Sequence, residues 1–398
     1  MTDPLGQSQV LAYLKGLSQT GAYQFTVISF EKAEAFKRLQ PGIASFCREA
    51  GIIWHPLSYT SKPPVISTFR DVRRMWKKAK EVIAQQEINI VHCRSYIPSI
   101  VGLDIKKKFG IPFLFDMRGF WVDERIDGGI WKLSNPVYRF IYSYFKKKEK
   151  QFLLHADQVV SLTQNAKDEI LSWKLRSTPL RITVIPCCAD MKLFEPGKIL
   201  PGEQQKARAE LNISPGVPVI SYIGSLGTWY MLNEMMTFAK TFQDRFENAV
   251  FMVLTGEPEQ MVLDAALESG LNTADLRIKK VPRDQMPLYI SLSTISLFFI
   301  KPAFSKKASS PVKQGELMAM GVPVICNNAV GDTEEIVERY KAGIVINEFS
   351  PLAYARAIEK ICSTSFDKQQ IIQGARNYFS LEKGVQLYRQ VYQLMQNG

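Results

Sequence analysis

The sequence predicts an α/β protein made of two doubly wound domains, each a parallel sheet with helices on both faces. Short apolar, β-branched segments alternate with amphipathic segments along the whole chain, which is the pattern of parallel sheets with covering helices. The strand segments are almost entirely apolar, as expected for strands that are buried on both faces. The chain has 398 residues, more than one common hydrophobic core usually holds, so we expect two domains.

The alternation assigns each segment to a strand or a helix. The following segments are predicted as strands: 25–29, 88–92, 113–116, 158–162, 182–185, 219–223, 250–255, 276–279, 295–299, 322–325 and 343–346. The clearest amphipathic segments are predicted as helices and lie at 71–85, 136–155, 260–269 and 381–395.

A stretch rich in Pro-Gly pairs between residues 190 and 215 has the composition of a linker and marks the boundary between the domains. We therefore expect an N-terminal domain over residues 1–190 and a C-terminal domain over residues 191–375. The final segment, 376–398, is expected to form a helix that packs back towards the N-terminal domain.

The beginning of the chain departs from the usual pattern of a doubly wound domain, which opens with a central strand. Residues 2–17 read TDPLGQSQVLAYLKGL and predict a loop that leads into a helix, with no strand before it. Either the start of the domain is truncated or its sheet is incomplete. In both cases we expect the first strand to be missing, which should leave unpaired backbone and a gap in the core.

The charge is distributed unevenly between the two halves of the chain. The net charge is +12, from 50 Lys and Arg against 38 Asp and Glu. Residues 1–190 contain 28 basic and 17 acidic residues, whereas residues 191–398 contain 22 and 21. A basic first half favours an acidic partner there, such as an anionic membrane surface, a phosphorylated lipid or a nucleic acid.

Several classes of protein are disfavoured by the sequence. No apolar segment reaches the roughly 20 residues that a membrane-spanning helix needs, and the first residues lack the regions of a signal peptide. The six cysteines show neither zinc-ligand spacing nor a CxxC pair, so we expect reduced thiols and no metal site. Basic and aromatic residues do not interleave as on a base-stacking surface, which makes a nucleic acid the least favoured partner. We therefore expect a cytoplasmic protein.

The segment SSPVKQGELMAMGVPVI combines a helix start with a charged pair. Ser310 is predicted as the N-cap and Pro311 as the first helical residue, where its missing N–H costs nothing. The N–H groups at such a helix start bind phosphate readily, and Lys313 adds a positive charge. Glu316 lies one turn further on the same side, where it can accept hydrogen bonds from ribose hydroxyl groups. The alternative is an ordinary ion pair on a solvated helix face.

Three loops follow predicted strands and so lie at the carboxyl edge of a parallel sheet, where ligands bind in such folds. One of them, FFIKPAFSKKASSP, places Lys306 and Lys307 directly before that helix. Another, VISYIGSLGTWY, contains Gly224, which allows the backbone to approach a ligand closely. The third, LTGEPEQ, contains Gly256. Together these loops predict a binding site for an anion.

Several segments resemble the motifs of a known enzyme family. The family's interdomain stretch is similar to ITVIPCCADMKLFEP, its glycine loop to YIGSLGTWYMLNEMM, and its donor-site block to SSPVKQGELMAMGVPVICNNAVGDTEEIVERYKAGIVI. The first half matches less sharply, through DPLGQSQVLAYLKGL, VHCRSYIPS and FDMRGFWVDER. Over nearly its whole length, the chain thus resembles the retaining GT-B glycosyltransferases of family 4. The resemblance implies two Rossmann-like domains that face a cleft.

The resemblance also implies that the second half binds a nucleotide-sugar donor, with a UDP-sugar favoured, and needs neither a cofactor nor a metal. Glu316 matches the second glutamate of the family's paired-glutamate motif, which binds the donor ribose. Val281 and Pro282 lie where the family's nucleobase usually rests. From the loops and the resemblance together, the candidate donor-binding residues are Gly224, Ser225, Gly256, Val281, Pro282, Lys306, Lys307, Ser309, Ser310, Lys313 and Glu316.

Two positions depart from the family pattern. Ala308 stands where the family's first glutamate is expected, and Arg118 stands where the family has a histidine beside the reacting sugar. Arg118 is permanently protonated and cannot act as a base, but it can hold a phosphate. The candidate catalytic residues are Arg118, Asp116 and Glu316. The candidate acceptor-binding residues are Gly6, Gln7, His92, Arg94 and Trp121. For His92 and Trp121 the residue types alone favour packed structural roles over contacts in a cleft.

Together, the residues and the resemblance predict a retaining transfer of a sugar from a nucleotide-sugar donor to a saccharide or lipid-linked saccharide acceptor. The basic first half suggests peripheral docking at the inner face of a cell membrane, where each Lys or Arg contributes about 1 kcal/mol. Such a reaction would serve the assembly of surface polysaccharide or lipopolysaccharide. Two alternatives remain open: a non-catalytic protein of the same fold that binds a nucleotide sugar or a partner enzyme, and a nucleotide-sugar epimerase.

Overall fold

The structure, a computed structural model, describes residues 1–63 and 65–396. The chain divides into two compact units: the first contains Met1–Pro186 and the final helix, and the second contains Cys187–Ser380. Strands and helices alternate along both units, and the paired strands run parallel. The predicted α/β class and the doubly wound pattern are confirmed.

The first unit opens with helices rather than a strand, as the sequence predicts. Its helices are α1 (Pro4–Gly6), which continues through the π-helical segment Gln7–Leu11, α2 (Ala12–Ser18), α3 (Ala33–Glu49), α4 (Ile66–Gln85), α5 (Tyr96–Phe109), α6 (Trp121–Asp127), α7 (Pro136–His155) and α8 (Gln164–Ser172). Its strands are β1 (Phe25–Glu31), β2 (Ile52–Ser58), β3 (Val91–Arg94), β4 (Phe113–Asp116), β5 (Gln158–Ser161) and β6 (Ile182–Val184).

The sheet of the first unit is divided into two pieces. β1 pairs with β2, and a separate sheet has the order β3-β4-β5-β6. A cavity of about 770 Å³ is lined by residues of both β1 and β3. The incomplete sheet and the gap in the core that the sequence predicts are therefore present.

The second unit is built on one continuous sheet. Its strands are β7 (Val219–Ile223), β8 (Val250–Leu254), β9 (Leu276–Lys279), β10 (Ile295–Phe298), β11 (Val324–Asn327) and β12 (Gly343–Ile346). Its helices are α9 (Pro201–Glu210), α10 (Leu232–Arg245), α11 (Glu259–Glu268), α12 (Met286–Ile290), α13 (Val312–Ala319), α14 (Thr333–Arg339), α15 (Pro351–Ser363) and α16 (Lys368–Phe379). The strand order is β12-β11-β10-β7-β8-β9, so the order reverses between β7 and β10.

The final helix, α17 (Leu381–Gln396), belongs to the first unit. Its Tyr388 ring packs edge-on against Tyr13 of α2, with 5.4 Å between the ring centroids. A Cβ at Gly16 of α2 would lie 2.7 Å from a methyl group of Val385, so only glycine allows this close helix contact.

Three strands differ clearly from the predicted pattern. β3 was predicted over 88–92 but spans Val91–Arg94, because its pairing with β4 begins with Val91 opposite Phe113. β2 was not predicted from the sequence, because His55 and Pro56 interrupt its apolar pattern. Pro56 is tolerated there since β2 pairs only with β1 within the part of the chain that the structure describes, and proline is accepted on edge strands. β11 begins two residues later than predicted, because Pro323 has no N–H group to donate to a neighbouring strand.

Within residues 1–63 and 65–396, no helix combines the length and apolarity needed to cross a membrane. The same residues include no cluster of three or more His, Cys, Asp or Glu side chains suited to a metal ion. The cysteines are free thiols, and Cys362 is exposed while the others are buried.

Candidate active site

Two loops of the second unit meet where the strand order reverses, between β7 and β10. Ligands of open parallel sheets bind at the carboxyl ends of the strands at such a point. The loop after β7 begins at Gly224, and the loop after β10 leads through a 3₁₀ turn, Phe304–Ala308, into α13. A Cβ at Gly224, whose φ is +113°, would lie 3.2 Å from Nζ of Lys313. Glycine is therefore needed here both for the backbone angle and for the close approach of Lys313.

Lys313 is buried beneath the glycine loop, with aromatic rings around its amino group. Its Nζ donates a hydrogen bond to the Tyr222 hydroxyl over 2.9 Å, and it lies 3.7 Å from the Tyr230 ring centroid. The Tyr222 hydroxyl in turn donates to the backbone carbonyl of Ser225. Burial lowers the pKa of Lys313 well below its usual range, against the opposing charge of Glu316. A bound anion would therefore stabilise the protonated form of this lysine.

Glu316 lies one turn further along α13 and is also buried. Its Oε1 is 2.8 Å from Nη2 of Arg283, and the exposed fractions of the two side chains are 8% and 48%. Burial raises the pKa of Glu316, while Arg283 and Lys313 act in the opposite direction. Glu316 is thus a buried carboxylate, and its partner Arg283 is exposed enough to move into solvent.

Arg283 was not singled out from the sequence. It directly follows Val281 and Pro282, which were predicted to contact a nucleobase, so its place in that loop was the available signal. In the structure it links this loop to Glu316, the predicted ribose ligand. Val281 is half-buried against the core and Pro282 is exposed.

The loop between β10 and α13 contains three lysines, of which Lys306 is buried and Lys301 and Lys307 are exposed. Nζ of Lys306 lies 3.6 Å from the ring centroid of Trp229, and its carbonyl oxygen accepts a hydrogen bond from the N–H of Gly331 over 2.8 Å. Lys307 is exposed and lies over the Phe304 ring at 5.4 Å. Lys306 is therefore part of the packed loop, whereas Lys307 faces solvent.

The start of α13 differs from the predicted cap. The first helical residue is Val312 and the cap residue is Pro311, which has no side chain able to cap. Ser310 is not the N-cap: its Oγ accepts a hydrogen bond from the N–H of Cys187 over 3.1 Å. The prediction of a Ser310 cap is wrong, because the hydroxyl group is used to hold a neighbouring segment instead. Ser309 is half-buried beside it.

Two other predicted positions lie on exposed loops of the same edge. Ser225 is exposed, and its carbonyl is held by Tyr222 as described above. Gly256 follows β8 and is exposed, and a Cβ there would meet open space. Ala308, where the family's first glutamate is expected, is 3% exposed. The structure thus brings Gly224 and Lys313 into direct contact, places Glu316 one turn further along α13, and leaves Gly256 exposed.

The first unit has its own charged cluster, centred on Asp116 at the end of β4. His92 Nε2, Arg94 Nη1 and Arg118 Nη1 lie 3.3, 3.7 and 3.8 Å from its carboxylate oxygens. The Tyr388 hydroxyl of α17 donates to the same carboxylate over 2.9 Å. Burial opposes ionisation of Asp116, but Arg118, His92 and Arg94 together hold its pKa well below the usual range. Asp116 is therefore a buried anion that positions three cationic or ionisable side chains.

The cluster includes a residue with an unusual backbone angle and makes further hydrogen bonds to neighbouring helices. Arg118 has a φ of +56°, an uncommon conformation for a residue with a side chain. His92 also contacts the Tyr392 hydroxyl through Nδ1 over 2.8 Å, and Arg94 donates to the Gln9 carbonyl over 3.1 Å. Four of the predicted residues, Asp116, Arg118, His92 and Arg94, thus form one cluster.

The remaining predicted acceptor residues lie apart from that cluster. Trp121 packs among aromatic rings: its ring centroid lies 5.1 Å from that of Phe145 and 5.5 Å from that of Trp131. Gln7 is exposed on the π-helical segment. Gly6 precedes it, and a Cβ at Gly6 would lie 2.9 Å from the backbone of Met1.

A second buried polar network in the first unit was not predicted. Lys146 forms ion pairs with Glu149 at 2.6 Å and with Asp123 at 3.0 Å. Tyr96 and Tyr142 donate to these two carboxylates. Burial raises the pKa of Glu149 despite the opposing charge of Lys146. The network joins α5, α6 and α7, so it is a structural centre of this unit.

Comparison with known proteins follows the same division of the chain. Residues 6–193 match the family described as Glycosyltransferase Family 4, and residues 203–378 match Glycosyl transferases group 1. The chain belongs to family 4 of the GT-B glycosyltransferases. The resemblance of the sequence motifs is thereby confirmed over both units.

Curated members of the family share low sequence identity with this chain. The D-inositol 3-phosphate glycosyltransferase of Rhodococcus jostii (strain RHA1) is 23% identical over 281 residues, which cover 69% of this chain and 59% of that protein. The protein of the same name from Salinispora arenicola (strain CNS-205) is 21% identical over 334 residues, covering 79% and 70%. The match therefore spans less than two thirds of the Rhodococcus protein.

Solved structures show the same fold for this glycosyltransferase. A glycosyltransferase from Rickettsia africae ESF-5 superposes with a TM-score of 0.73 at 16% identity, covering 99% of this chain and 97% of that one. HepE from Anabaena, in complex with UDP, superposes with a TM-score of 0.67 at 14% identity, covering 96% of each chain. At such identities the likeness establishes the GT-B fold and no more.

Proposed function

We propose that this glycosyltransferase binds a nucleotide-sugar donor on its second unit and transfers the sugar, with retention of configuration, to a phosphorylated or lipid-linked saccharide. The observation that supports the proposal most is the pair Lys313 and Glu316. Both are buried, one turn apart, at the carboxyl edge of the sheet where the strand order reverses. A buried lysine and a buried glutamate are costly unless a ligand or a partner compensates for them.

Each member of the pair suits one part of a nucleotide sugar. A diphosphate beside Gly224 would place negative charge next to Lys313, which stabilises the leaving group as the glycosidic bond to the donor breaks. Ribose hydroxyl groups would donate to Glu316, displacing Arg283 towards solvent or sharing the carboxylate with it. Lys307, exposed on the neighbouring loop, adds a second cation for the same anion.

UDP is the first nucleotide to test. The solved structure of HepE, which has the same fold, contains UDP, and this supports the choice. We expect at least one UDP-sugar to stabilise the second unit in a thermal-shift panel of UDP-, GDP- and ADP-sugars. At 100 times Kd the gain is about 2.7 kcal/mol, which corresponds to a shift of roughly 5–10 °C for a unit of this size. No shift with any sugar nucleotide would overturn the donor site.

Two variants test the roles of the buried pair. Lys313→Met should lower the rate of sugar transfer by roughly 100-fold to 1000-fold, as for removal of one group that stabilises a developing negative charge. Glu316→Gln should weaken donor binding by roughly tenfold, because it loses a charged acceptor for the ribose hydroxyls. The matched controls are Lys360→Met and Glu335→Gln, which change exposed side chains in the same unit. Equal effects in the variants and the controls would contradict the assignment.

The acceptor is proposed to contact the basic first unit. The named relatives are glycosyltransferases of D-inositol 3-phosphate, and a phosphorylated acceptor suits the charge of residues 1–190. Arg118, held by Asp116 in a strained conformation, is the group that we propose to bind the acceptor's phosphate. Arg118→Gln should raise KM for a phosphorylated acceptor with a smaller effect on kcat, measured with the donor at saturation.

Peripheral membrane association is proposed from an exposed apolar surface on α7. Val137 and Phe140, at the start of this helix, are 58% and 73% exposed. Lys132 and Arg139 are exposed beside them. Apolar side chains flanked by basic ones suit the interface of an anionic bilayer. Such a location would allow a lipid-linked acceptor in the assembly of surface polysaccharide or lipopolysaccharide.

Sedimentation with lipid vesicles tests this surface. The protein should bind vesicles that contain phosphatidylglycerol more tightly than vesicles of phosphatidylcholine, and binding should weaken as salt rises. Phe140→Glu should reduce binding, whereas Leu200→Glu, at a position 61% exposed in the second unit, should not. Unchanged binding of Phe140→Glu would exclude this surface.

A non-catalytic role is the second candidate function, and Ala308 is the observation that favours it. The family's first glutamate is absent there, and the site is filled by a buried methyl group. Thermal stabilisation by a sugar nucleotide without transfer or hydrolysis would support binding alone. Formation of product with retained configuration, detected by NMR, would support the enzyme.

A further inference from the structure

Tyr222 lies beneath the glycine loop of the second unit, residues 224–228, which follows β7. It is the last residue but one of β7, and its side chain is 1% exposed. Successive side chains of a strand point to opposite faces, so Tyr222 lies on the same face as Gly224, two positions further on. Nζ of Lys313 reaches this place from α13, since it would lie 3.2 Å from a Cβ at Gly224. The tyrosine and the lysine therefore meet directly below the start of the loop.

The hydrogen bonds of the Tyr222 hydroxyl have a fixed direction. A carbonyl oxygen can only accept, so the hydroxyl donates its proton to the carbonyl of Ser225. The hydroxyl oxygen is then left to accept, and Nζ of Lys313 donates to it over 2.9 Å. Burial raises the pKa of Tyr222 well above its usual range, so the hydroxyl keeps its proton. One hydroxyl group therefore holds both the lysine and the backbone of the loop.

The hydrogen bond to Ser225 also orients the next N–H group of the loop. The peptide bond between Ser225 and Leu226 is trans, and the C=O and N–H groups of a trans peptide unit point in opposite directions. Because this carbonyl points at the buried Tyr222, the N–H of Leu226 points away from it. The residues on both sides of Leu226 are exposed, and among the described residues its N–H has no hydrogen-bond acceptor. The loop thus presents a backbone donor on its outer side.

The charged and titratable groups around Lys313 leave its charge available to a ligand. The Tyr230 ring centroid lies 3.7 Å from Nζ, and an aromatic face favours a cation without neutralising it. The carboxylate that acts on Lys313 is that of Glu316, which already has Arg283 as a partner at 2.8 Å. Glu257, on the loop after β8, acts on the neighbouring tyrosine hydroxyl. An anion bound at the glycine loop would therefore gain the charge of Lys313.

We propose that Tyr222 is a positioning residue for an anion seat at the glycine loop, in which the Leu226 N–H donates to a phosphate group of the donor and Lys313 supplies positive charge below it. This inference rests on the proposed function, since the phosphate is that of a nucleotide sugar. Tyr222 itself does not touch the phosphate. Removal of its hydroxyl group would release the lysine and the Ser225 carbonyl together, and the freed peptide unit could rotate its N–H away from the ligand.

Amide NMR of the full chain labelled with ¹⁵N-leucine tests the contact with the ligand. The Leu226 signal is assigned from its absence in Leu226→Ile, which keeps the backbone N–H. UDP should move this amide proton downfield, as for an N–H that donates to an anion, and inorganic pyrophosphate should do the same. The amide of Leu267, 66% exposed on α11, should not move.

The outcomes separate this inference from the proposed function. Binding of UDP, measured by calorimetry, with an unmoved Leu226 amide would overturn the anion seat and leave the donor site in place. Pyrophosphate that moves this amide, in a protein that binds no nucleotide sugar, would support the anion seat and overturn the proposed function. No response to either probe would overturn both.

Tyr222→Phe tests the positioning role, because it keeps the ring and removes only the hydroxyl group. It should weaken UDP binding by roughly tenfold or more, as for the loss of a hydrogen bond to a charged group. It should also lower the pKa of Lys313, since the charged form loses an acceptor. NMR of ¹³C-labelled lysine across pH measures this pKa, with the signal assigned from Lys313→Met.

The matched control is Tyr289→Phe, which removes a hydroxyl that donates to Glu210 over 2.6 Å in the same unit. It should change neither the affinity for UDP nor the pKa of Lys313. An unchanged lysine pKa in Tyr222→Phe, or an equal effect of the control, would overturn the positioning role. The Leu226 test is made on the unaltered chain, so it decides the ligand contact even if Tyr222→Phe does not fold.

Discussion

The two units share one pattern of alternating strands and helices but differ in how completely they bury their strands. In the second unit every residue of β7, β8, β10 and β11 is buried. In the first unit the sheet is divided, and β1 is half-buried from Phe25 to Phe30. The apolar contribution of a side chain scales with the area that is removed from water. Two units with the same alternation of strands and helices can therefore differ in stability, because the divided sheet of the first unit buries less apolar surface than the continuous sheet of the second.

The units also differ in where they place buried charge. The first unit surrounds Asp116 with cationic side chains and a tyrosine of α17, so this charge is compensated within the protein. The second unit buries Lys313 against tyrosine rings, with the carboxylate of Glu316 one turn away. The arrangement around Asp116 stabilises the fold. The arrangement around Lys313 disfavours the charged form of this lysine, which a bound anion would stabilise.

The largest expected difference between the units is in the change of unfolding free energy when a glycine is replaced by alanine. A Cβ at Gly343 in β12 would lie 1.8 Å from the carbonyl oxygen of Val324. Gly343→Ala should therefore destabilise the second unit by more than about 4 kcal/mol. Gly42→Ala, inside α3 with open space around it, should stabilise the first unit by up to about 1 kcal/mol. Urea denaturation followed by unit-resolved hydrogen exchange measures both, and a mild effect of Gly343→Ala would contradict the close packing of β11 and β12.

The second expected difference is in the unfolding free energy lost when a phenylalanine is replaced by alanine in each sheet. Phe251→Ala in β8 removes a fully buried ring and should cost about 3–5 kcal/mol of unfolding free energy. Phe25→Ala in β1 removes a half-buried ring and should cost about 1–2 kcal/mol. Comparable losses in the same denaturation assay would contradict the half-buried state of β1.

The third prediction concerns the pH dependence of the first unit. The pKa of Asp116 is held well below its usual range, so its ionised form contributes stability above the unfolded pKa of about 3.9. This contribution is lost progressively as the pH falls below about 4 towards the folded pKa. Asp116→Asn should cost about 2 kcal/mol at neutral pH and reduce this acid sensitivity.

The control for the acid-sensitivity test is Asp168→Asn, which changes an exposed carboxylate on α8. Its effect should stay within about 0.5 kcal/mol. Stability curves between pH 2 and 7 distinguish the two variants. If both variants kept the same acid sensitivity as the unaltered protein, the Asp116 cluster would not be the source of that sensitivity.

The smallest expected effect is an uptake of protons by the second unit. Burial lowers the pKa of Lys313, and a bound diphosphate should raise it again, so binding should take up at most one proton. The affinity for UDP should accordingly fall as the pH rises through the pKa of the liganded lysine. Calorimetry in two buffers of different ionisation enthalpy measures the uptake, and Lys313→Met should abolish it. Uptake that persists in this variant would assign the proton to another group.

Much of the fold was predictable because strand and helix periodicities are local properties. The strands β4, β7, β9 and β12 have the predicted bounds, and so does helix α7. The helical start of the first unit and its divided sheet were also predictable, because residues 2–17 carry no strand pattern. β2 was not predictable, because His55 and Pro56 obscure its pattern and only its pairing with β1 makes it a strand.

The candidate site was predictable in part. The segment around Lys313 and Glu316 carries a helix start and a charged pair that are visible in the sequence. Arg283 was not predictable, because it is distant from Glu316 in the sequence and only the fold brings their side chains to 2.8 Å. The Ser310 cap was predicted wrongly, since its hydroxyl group binds the backbone of Cys187, a residue far away in the chain.

The sequence by itself determined the α/β class, the family and the residues that can carry charge at the sheet edge, because these depend on local pattern and residue type. Only the tertiary structure decided which of those charges are buried and what surrounds them. It placed Lys313 against two tyrosine rings, gathered His92, Arg94, Arg118 and Tyr388 around Asp116, and divided the sheet of the first unit. Burial and proximity arise from contacts between distant segments, and these contacts set the pKa values and the charge arrangements on which the proposals rest.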